Sequence, residues 1–143
     1  MSMSIEKIYG IAGTALNAQL TRMNATASNL ANAGTVAGTP EEVFKAKRPV
    51  FKSLMSEEMT HAGAPYKGGV KVDHMSEDPS PPKRIHDPRN PLADEQGYVY
   101  QANVSEVTEM VEMLAAARSY QNNVEVINTA RTLMLRTLDI TKS

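Results

Sequence analysis

The chain begins and ends on side chains repeating at helical spacing, and the stretch between them does not follow that repeat. From Ile5 to about Asn32 the repeating positions are Ile5, Ile8, Ala12, Ala15 or Leu16, Gln19, Met23, Ala27 and Leu30. Steps of three and four residues put these side chains along one face, the geometry of a coiled-coil-like seam. Ser4 offers a cap at the start, and Gly34, Gly38 and Pro40 stop the pattern. From Asn103 to about Ile140 the repeat returns through Val107, Met110 or Val111, Leu114, Ala117, Gln121, Val124, Ile127, Ala130, Met134 and Leu138, slipping between Val124 and Ile127. Ser105 with Thr108 and Glu109 marks its beginning, and Arg131 and Arg136 suit the negative end of a helix dipole. At a rise of ~1.5 Å per residue this second helix is on the order of 55 Å long.

Residues 34–102 hold all eight prolines. Val43–Leu54 suits one or two short strands, with Pro49 confining them to an edge. Gly68-Gly69-Val70-Lys71-Val72-Asp73 alternates and reads as a turn followed by a strand, while Asp78–Pro91 has too many prolines for a helix or a central strand. Tyr98-Val99-Tyr100 is a short apolar run just before the second helix. The expected fold is therefore mainly α: long N- and C-terminal helices paired as a coiled-coil-like bundle, with a short irregular or β-containing middle. The segments are 1–33, 34–102 and 103–143, the first and third pairing into one axial domain.

Two helices share one interface and leave further apolar stripes wet, so partner subunits are the simplest remedy. The expected interface comprises Ile8, Leu16, Met23, Leu30, Val107, Met110, Val111, Leu114, Tyr120, Val124, Ile127, Met134 and Leu138, with the amides Asn29, Asn32, Asn123 and Asn128 as register-setting hydrogen bonders between packed helices.

Composition sharpens this picture. Aromatic residues are 5% of the 143, there is no Trp, and nine Met suit adaptable packing at surfaces. With no cysteine, disulfides, zinc–thiolate sites and cysteine nucleophiles are excluded. A formal net charge of -1 gives no electrostatic case for nucleic acid or an anionic membrane. No stretch is long and apolar enough to span a bilayer. Ile8–Leu16 is too weakly apolar for a secretory signal, and the helical repeat runs straight through any cleavage point.

Candidate chemistry is thin. His61, His74 and His86 stand in loop-like stretches without ligand spacing, so solvated loop residues are the better reading. Glu106, Glu109 and Glu112 recur every third residue and read as a solvated acidic face, since no histidine accompanies them as in a carboxylate metal site. Lys45, Lys47, Arg48 and Lys52 flank Phe44 and Phe51, and read as a charged strand face before a nucleic-acid patch. No enzyme and no cofactor is expected.

Several motifs are nevertheless specific. Ala27-Ser28-Asn29-Leu30-Ala31-Asn32 resembles the N-terminal signature of bacterial flagellar rod and hook proteins. Met110-Val111-Glu112-Met113, then Ala117-Arg118-Ser119-Tyr120-Gln121-Asn122-Asn123 and Glu125-Val126-Ile127-Asn128-Thr129, resemble their C-terminal signature. Asp87-Pro88-Arg89-Asn90-Pro91-Leu92-Ala93-Asp94, Gly97-Tyr98-Val99 and Gly68-Gly69-Val70-Lys71-Val72 resemble the proximal-rod branch of that family. Asn122 stands where the pattern has Ala, and Gly34–Glu42 lacks the pattern's Asn-Thr pair.

The resemblance implies a structural subunit of the proximal rod, the drive shaft of the basal body. It would polymerise through its terminal helices, transmit torque across the periplasm and line the export channel, leaving the cell by the flagellar export apparatus without a cleaved signal peptide. Implied partners are copies of itself, other rod proteins and basal-body base and ring components, with no nucleic acid and no direct membrane insertion. The runner-up is a helical adaptor or inner-rod component of a related type III secretion apparatus.

Overall fold

The structure is a computed structural model that describes residues 4–54 and 68–142. Helix α1 runs Ile5–Ala31 and helix α2 runs Glu106–Lys142. Between them lie β1 (Val36–Ala37), β2 (Lys47–Ser53), β3 (Val70–Glu77), β4 (Lys83–His86) and β5 (Tyr98–Gln101). Strands β2 and β3 form a two-stranded ribbon, and β1, β5 and β4 form a sheet in that order.

This arrangement corrects the expected fold class. About half of the described residues are helix and a fifth are strand, in two sheets, so it is not a mainly helical coiled-coil-like bundle with a short middle. The prolines punctuate the strands without preventing them. Pro49 lies in β2, which has one unpaired edge where a missing N–H costs nothing. Pro79, Pro81 and Pro82 join β3 to β4, and Pro88 and Pro91 fall in the turn after β4.

The chain divides into two compact units. The first comprises Met1–Thr21, Val50–His74 and Ala115–Ser143. Its buried residues include Ala12, Ala18, Ala116 and Ala130, which allow close approach of backbones. Gly68 and Gly69 have φ of 106° and 131°, a region that L side chains rarely enter. They bring the start of β3 against α1. There the Thr14 hydroxyl donates to the Ile11 carbonyl at 2.7 Å and accepts from the Val70 N–H at 3.1 Å. A Cβ on Gly69 would stand 2.8 Å from Thr14 Oγ1, which leaves room only for hydrogen.

The second unit comprises Arg22–Pro49 and Met75–Leu114. Its core is Ala33, Val43, Ala46, Ala102 and Val104, with Ala37, Phe44 and Tyr100 packed against it. Strand β5 is central and antiparallel to both neighbours, with Val99 buried and opposite Ile85. The Asp87–Gly97 stretch is a scaffold of turns that aims β5. Asn90 and Ala93 N–H groups bond back to Asp87 and Asn90 carbonyls, and Asp94 Oδ1 accepts the N–H groups of Gln96 and Tyr98, each at 2.9 Å. Gly97, at φ 81°, closes this turn where a Cβ would meet Pro88 at 3.1 Å.

Candidate functional site: an outward helix face and the polar node behind it

Helix α2 starts on Ser105, whose carbonyl accepts the Glu109 N–H at 3.0 Å and whose hydroxyl oxygen accepts the Thr108 N–H at 3.4 Å. Its first turns do not bury their apolar residues. The Glu109 side chain is 1% exposed and Asn29 is 0% exposed, while Val107 is 73% and Leu114 70% exposed. Met110 and Val111 are exposed as well. At ~100° per residue, Met110 lies ~100° around the helix from Glu109, Leu114 ~140°, and Val107 and Val111 ~160°, so turning Glu109 inward turns these four outward.

The inward carboxylate is fully engaged. Glu109 Oε1 accepts from Arg48 Nη2 at 2.6 Å, and Oε2 accepts from Asn29 Nδ2 at 3.0 Å. The same Asn29 amide donates to the Lys47 carbonyl at 3.0 Å and accepts the Lys47 N–H at 2.9 Å. One turn on, Arg22 donates to Glu112 in a second ion pair. The Arg22 hydrogen bond holds the Glu112 carboxyl below its ordinary range, against an opposing contribution from burial, with the Arg22 and Arg48 charges adding to the lowering. α1, β2 and α2 are thus tied at one polar node, where a buried charge is tolerated because its acceptor sites are filled.

The expected interface residues divide into three groups. Ile8, Leu16, Met23, Leu30, Tyr120, Val124 and Ile127 are half-buried, while Val107, Met110, Val111, Leu114, Met134 and Leu138 are exposed. Among the amides, only Asn29 bonds away from its own helix. Asn32 and Asn123 donate to the carbonyls of Ser28 and Ser119, four residues back, and exposed Asn128 offers its carbonyl to Thr132. Asn amides are short enough to satisfy themselves on the preceding turn, which is the competing geometry that wins here. Beyond Ala130 every described residue of α2, 131–142, is exposed.

Other sequence readings also change. Glu106 is solvated, but Glu109 and Glu112 are not a solvated acidic face, because Arg48 and Arg22 meet them. Those cations lie 61 and 90 residues away in sequence, beyond any local pattern. The available hint was the placement of Glu109, Glu112 and small Ala116 on the side opposite the apolar stripe. His74 is exposed and its Nδ1 lies 2.9 Å from Asp73, whose carboxyl the hydrogen bond holds below its ordinary range. His86 packs edge-on against Tyr98, over which the Arg84 guanidinium lies at 3.7 Å. His61 falls outside the described residues.

A cavity beside Pro40, Phe44 and Pro82 has about 10 Å³, the size of one water. Two open grooves of about 600 and 350 Å³ run along the helices of the first unit, one floored by Gly10 and Gly13 beside Tyr9 and Tyr120, the other by Val126, Ala130 and Leu133. Among the described residues no cluster of His, Asp and Glu is spaced for a metal, and no helix is long and apolar enough to cross a membrane. What the geometry defines is a protein of surfaces: an apolar helix face held outward by a buried polar node.

Comparison with known proteins gives the family. Residues 11–37 match the family described as "Flagella basal body rod protein", and residues 95–140 match "Flagellar basal body rod FlgEFG protein C-terminal". The chain is 46% identical over 138 residues to the flagellar basal-body rod protein FlgC of Escherichia coli, covering 96% of this chain and 98% of that one. It is 45% identical to FlgC of Salmonella typhimurium with the same coverage, and 32% identical to FlgC of Bacillus subtilis over 92% of this chain and 95% of the relative. The chain belongs to the FlgC family of flagellar basal-body rod proteins, structural subunits of the flagellum's basal body.

Proposed function

We propose that the chain is a polymerising subunit of the proximal rod, with residues 1–33 and 103–143 as its axial part and without catalytic activity or cofactor. Its partners are copies of itself, other rod proteins, base and ring components of the basal body and the flagellar export apparatus. It takes no nucleic acid and does not insert into the membrane. The assembled rod transmits torque across the periplasm and lines the channel for later export substrates.

One observation carries this reading: the apolar content is turned outward. The fully buried apolar residues among those described are alanines and valines, while Met110, Leu114, Leu133, Leu135, Leu138 and Ile140 of α2 alone are exposed. A soluble monomer gains nothing from that distribution, whereas a polymer buries it. The test is complementation of a strain lacking the gene, scored by swimming and by rods in purified basal bodies. The native chain restores both. Val124→Asp, a charge at a half-buried α2 position, restores neither although the protein is made. Normal rods in that variant would remove α2 from the interface.

A further inference from the structure

We infer that the open edge of β4 is a docking site for an extended acidic segment of a partner protein. The segment adds as a strand beside Arg84 and His86 and seats a carboxylate on the Arg84 guanidinium. No residue of α2 takes part. In the sheet order β1-β5-β4, β4 pairs on one side only. Bonded and non-bonded pairs alternate along an antiparallel ladder. The Asp87 N–H bonds the Gly97 carbonyl, so with Ile85 opposite Val99 the backbone groups of Ile85 face β5, and those of Arg84 and His86 face away. The far side of β5 agrees. The Ala102 N–H bonds the Thr35 carbonyl there, and the alternation turns Tyr100 toward Ala37 of β1, away from Arg84. Arg84 and His86 thus offer their N–H and C=O groups in strand geometry, the template for strand addition.

The side chains select the occupant. The Arg84 guanidinium lies 3.7 Å over the Tyr98 ring and donates to Gln96 Oε1 at 3.0 Å. Both anchors are set by the turn before β5, where Asp94 Oδ1 accepts the N–H groups of Gln96 and Tyr98. A guanidinium held in this way keeps further donors open and takes a carboxylate through two parallel bonds. Arg22 and Arg48 of the same unit already meet Glu112 and Glu109. Among the described residues no carboxylate meets Lys83, Arg84 or Arg89, and residues 83–89 hold these three cations against Asp87 alone. A second β4 is a poor occupant, because it brings Lys83 and Arg84 against their own kind. An anionic polysaccharide meets the cations but has no backbone to continue the ladder. An acidic peptide strand satisfies both.

The test uses the full chain, isotopically labelled for two-dimensional NMR, and an alternating Thr-Glu octapeptide with blocked ends. The peptide is titrated to ~5 mM at ~50 mM salt. The backbone amides of Arg84 and His86 and the Arg84 side-chain N–H signals should shift together, and those two amides should exchange more slowly with solvent. Arg84 is exposed, so its variants keep the circular dichroism of the native chain. Arg84→Gln should weaken binding at least ~tenfold, and Arg84→Lys, which keeps the charge but loses the fork, at least ~threefold. A Thr-Gln analogue lacks the acid, and a Thr-Glu analogue N-methylated on alternate residues cannot pair along the edge. Each should bind at least ~tenfold more weakly than the parent peptide. The proposal is overturned if either analogue binds as tightly as the parent, or if Arg84→Lys binds as the native chain does. It is equally overturned if polygalacturonate moves the Arg84 signals at a lower carboxylate concentration than the peptide, or if ~5 mM peptide moves none of them.

Discussion

Glu109 illustrates how one side chain sets the use of a whole surface. Its carboxylate is buried, yet both oxygens are engaged by Arg48 and Asn29. Removing it leaves a buried amide donor and a guanidinium without their acceptor. Glu109→Ala should therefore cost about 2–4 kcal/mol, whereas Val107→Ala, outward on the same turn, should stay within ~0.5 kcal/mol. Urea midpoints of the two variants check this, and equal shifts would mean that the node adds nothing. Glycine makes a second contrast. Gly69→Ala meets a positive φ and Thr14 Oγ1 at 2.8 Å, so a loss of about 1–3 kcal/mol is expected. Gly13 lies within α1 with nothing within 4 Å of a Cβ, so Gly13→Ala should gain up to ~1 kcal/mol in thermal stability. The Gly68-Gly69 pair was legible as the lead into a strand, which is β3. Its docking on Thr14 was not, because a contact across 55 residues of chain leaves no local periodicity.

At the scale of elements, periodicity located the helices but not the direction they face. The repeat over 5–32 corresponds to α1 at Ile5–Ala31, and the repeat over 103–140 to α2 at Glu106–Lys142. The rule that the apolar stripe faces inward fails for the first turns of α2, since the alternative face holds two carboxylates whose cations lie on α1 and β2. Strands were legible where residues alternate, as in β3, and less so where prolines crowd, as around β4. A pH dependence follows from the tie between α1 and α2. Because Arg22 lowers the Glu112 pKa in the folded chain, the pair contributes its stability in full above the carboxyl's ordinary 4.5 and loses it as pH falls through the lowered value. Asp78, lowered from 3.8 by hydrogen bonds from the Ser80 hydroxyl and N–H, acts in the same direction. Thermal midpoints should therefore drop as pH goes from ~5 to ~3, and Glu112→Gln should flatten part of that slope. An unchanged slope in Glu112→Gln would show that Arg22 gives the folded state no charge-dependent support.

For the whole molecule, the kind of residue that is buried decides how stable the chain is alone. Fully burying a Leu, Ile or Met side chain gives about 1.5–3 kcal/mol, and an alanine gives far less. Among the described residues the fully buried apolar set is alanine and valine, with the larger side chains half-buried or exposed. The single chain is therefore expected to fold with a small margin, which a neighbour covering the α2 face would raise. Any partner that binds only the folded form stabilises it by mass action, so the melting temperature depends on concentration. If copies cover one another, the native chain should melt several degrees higher at ~200 μM than at ~2 μM, since about 1 kcal/mol shifts a domain of this size by roughly 3–6 °C. The variant Met110→Glu with Leu114→Glu should melt at one temperature at both concentrations. That comparison separates two explanations of the same surface. A face that is only a tolerated flaw gives concentration-independent melting in both chains. A face completed by another copy gives dependence in the native chain alone, and the stability absent from the monomer is then supplied by the assembly.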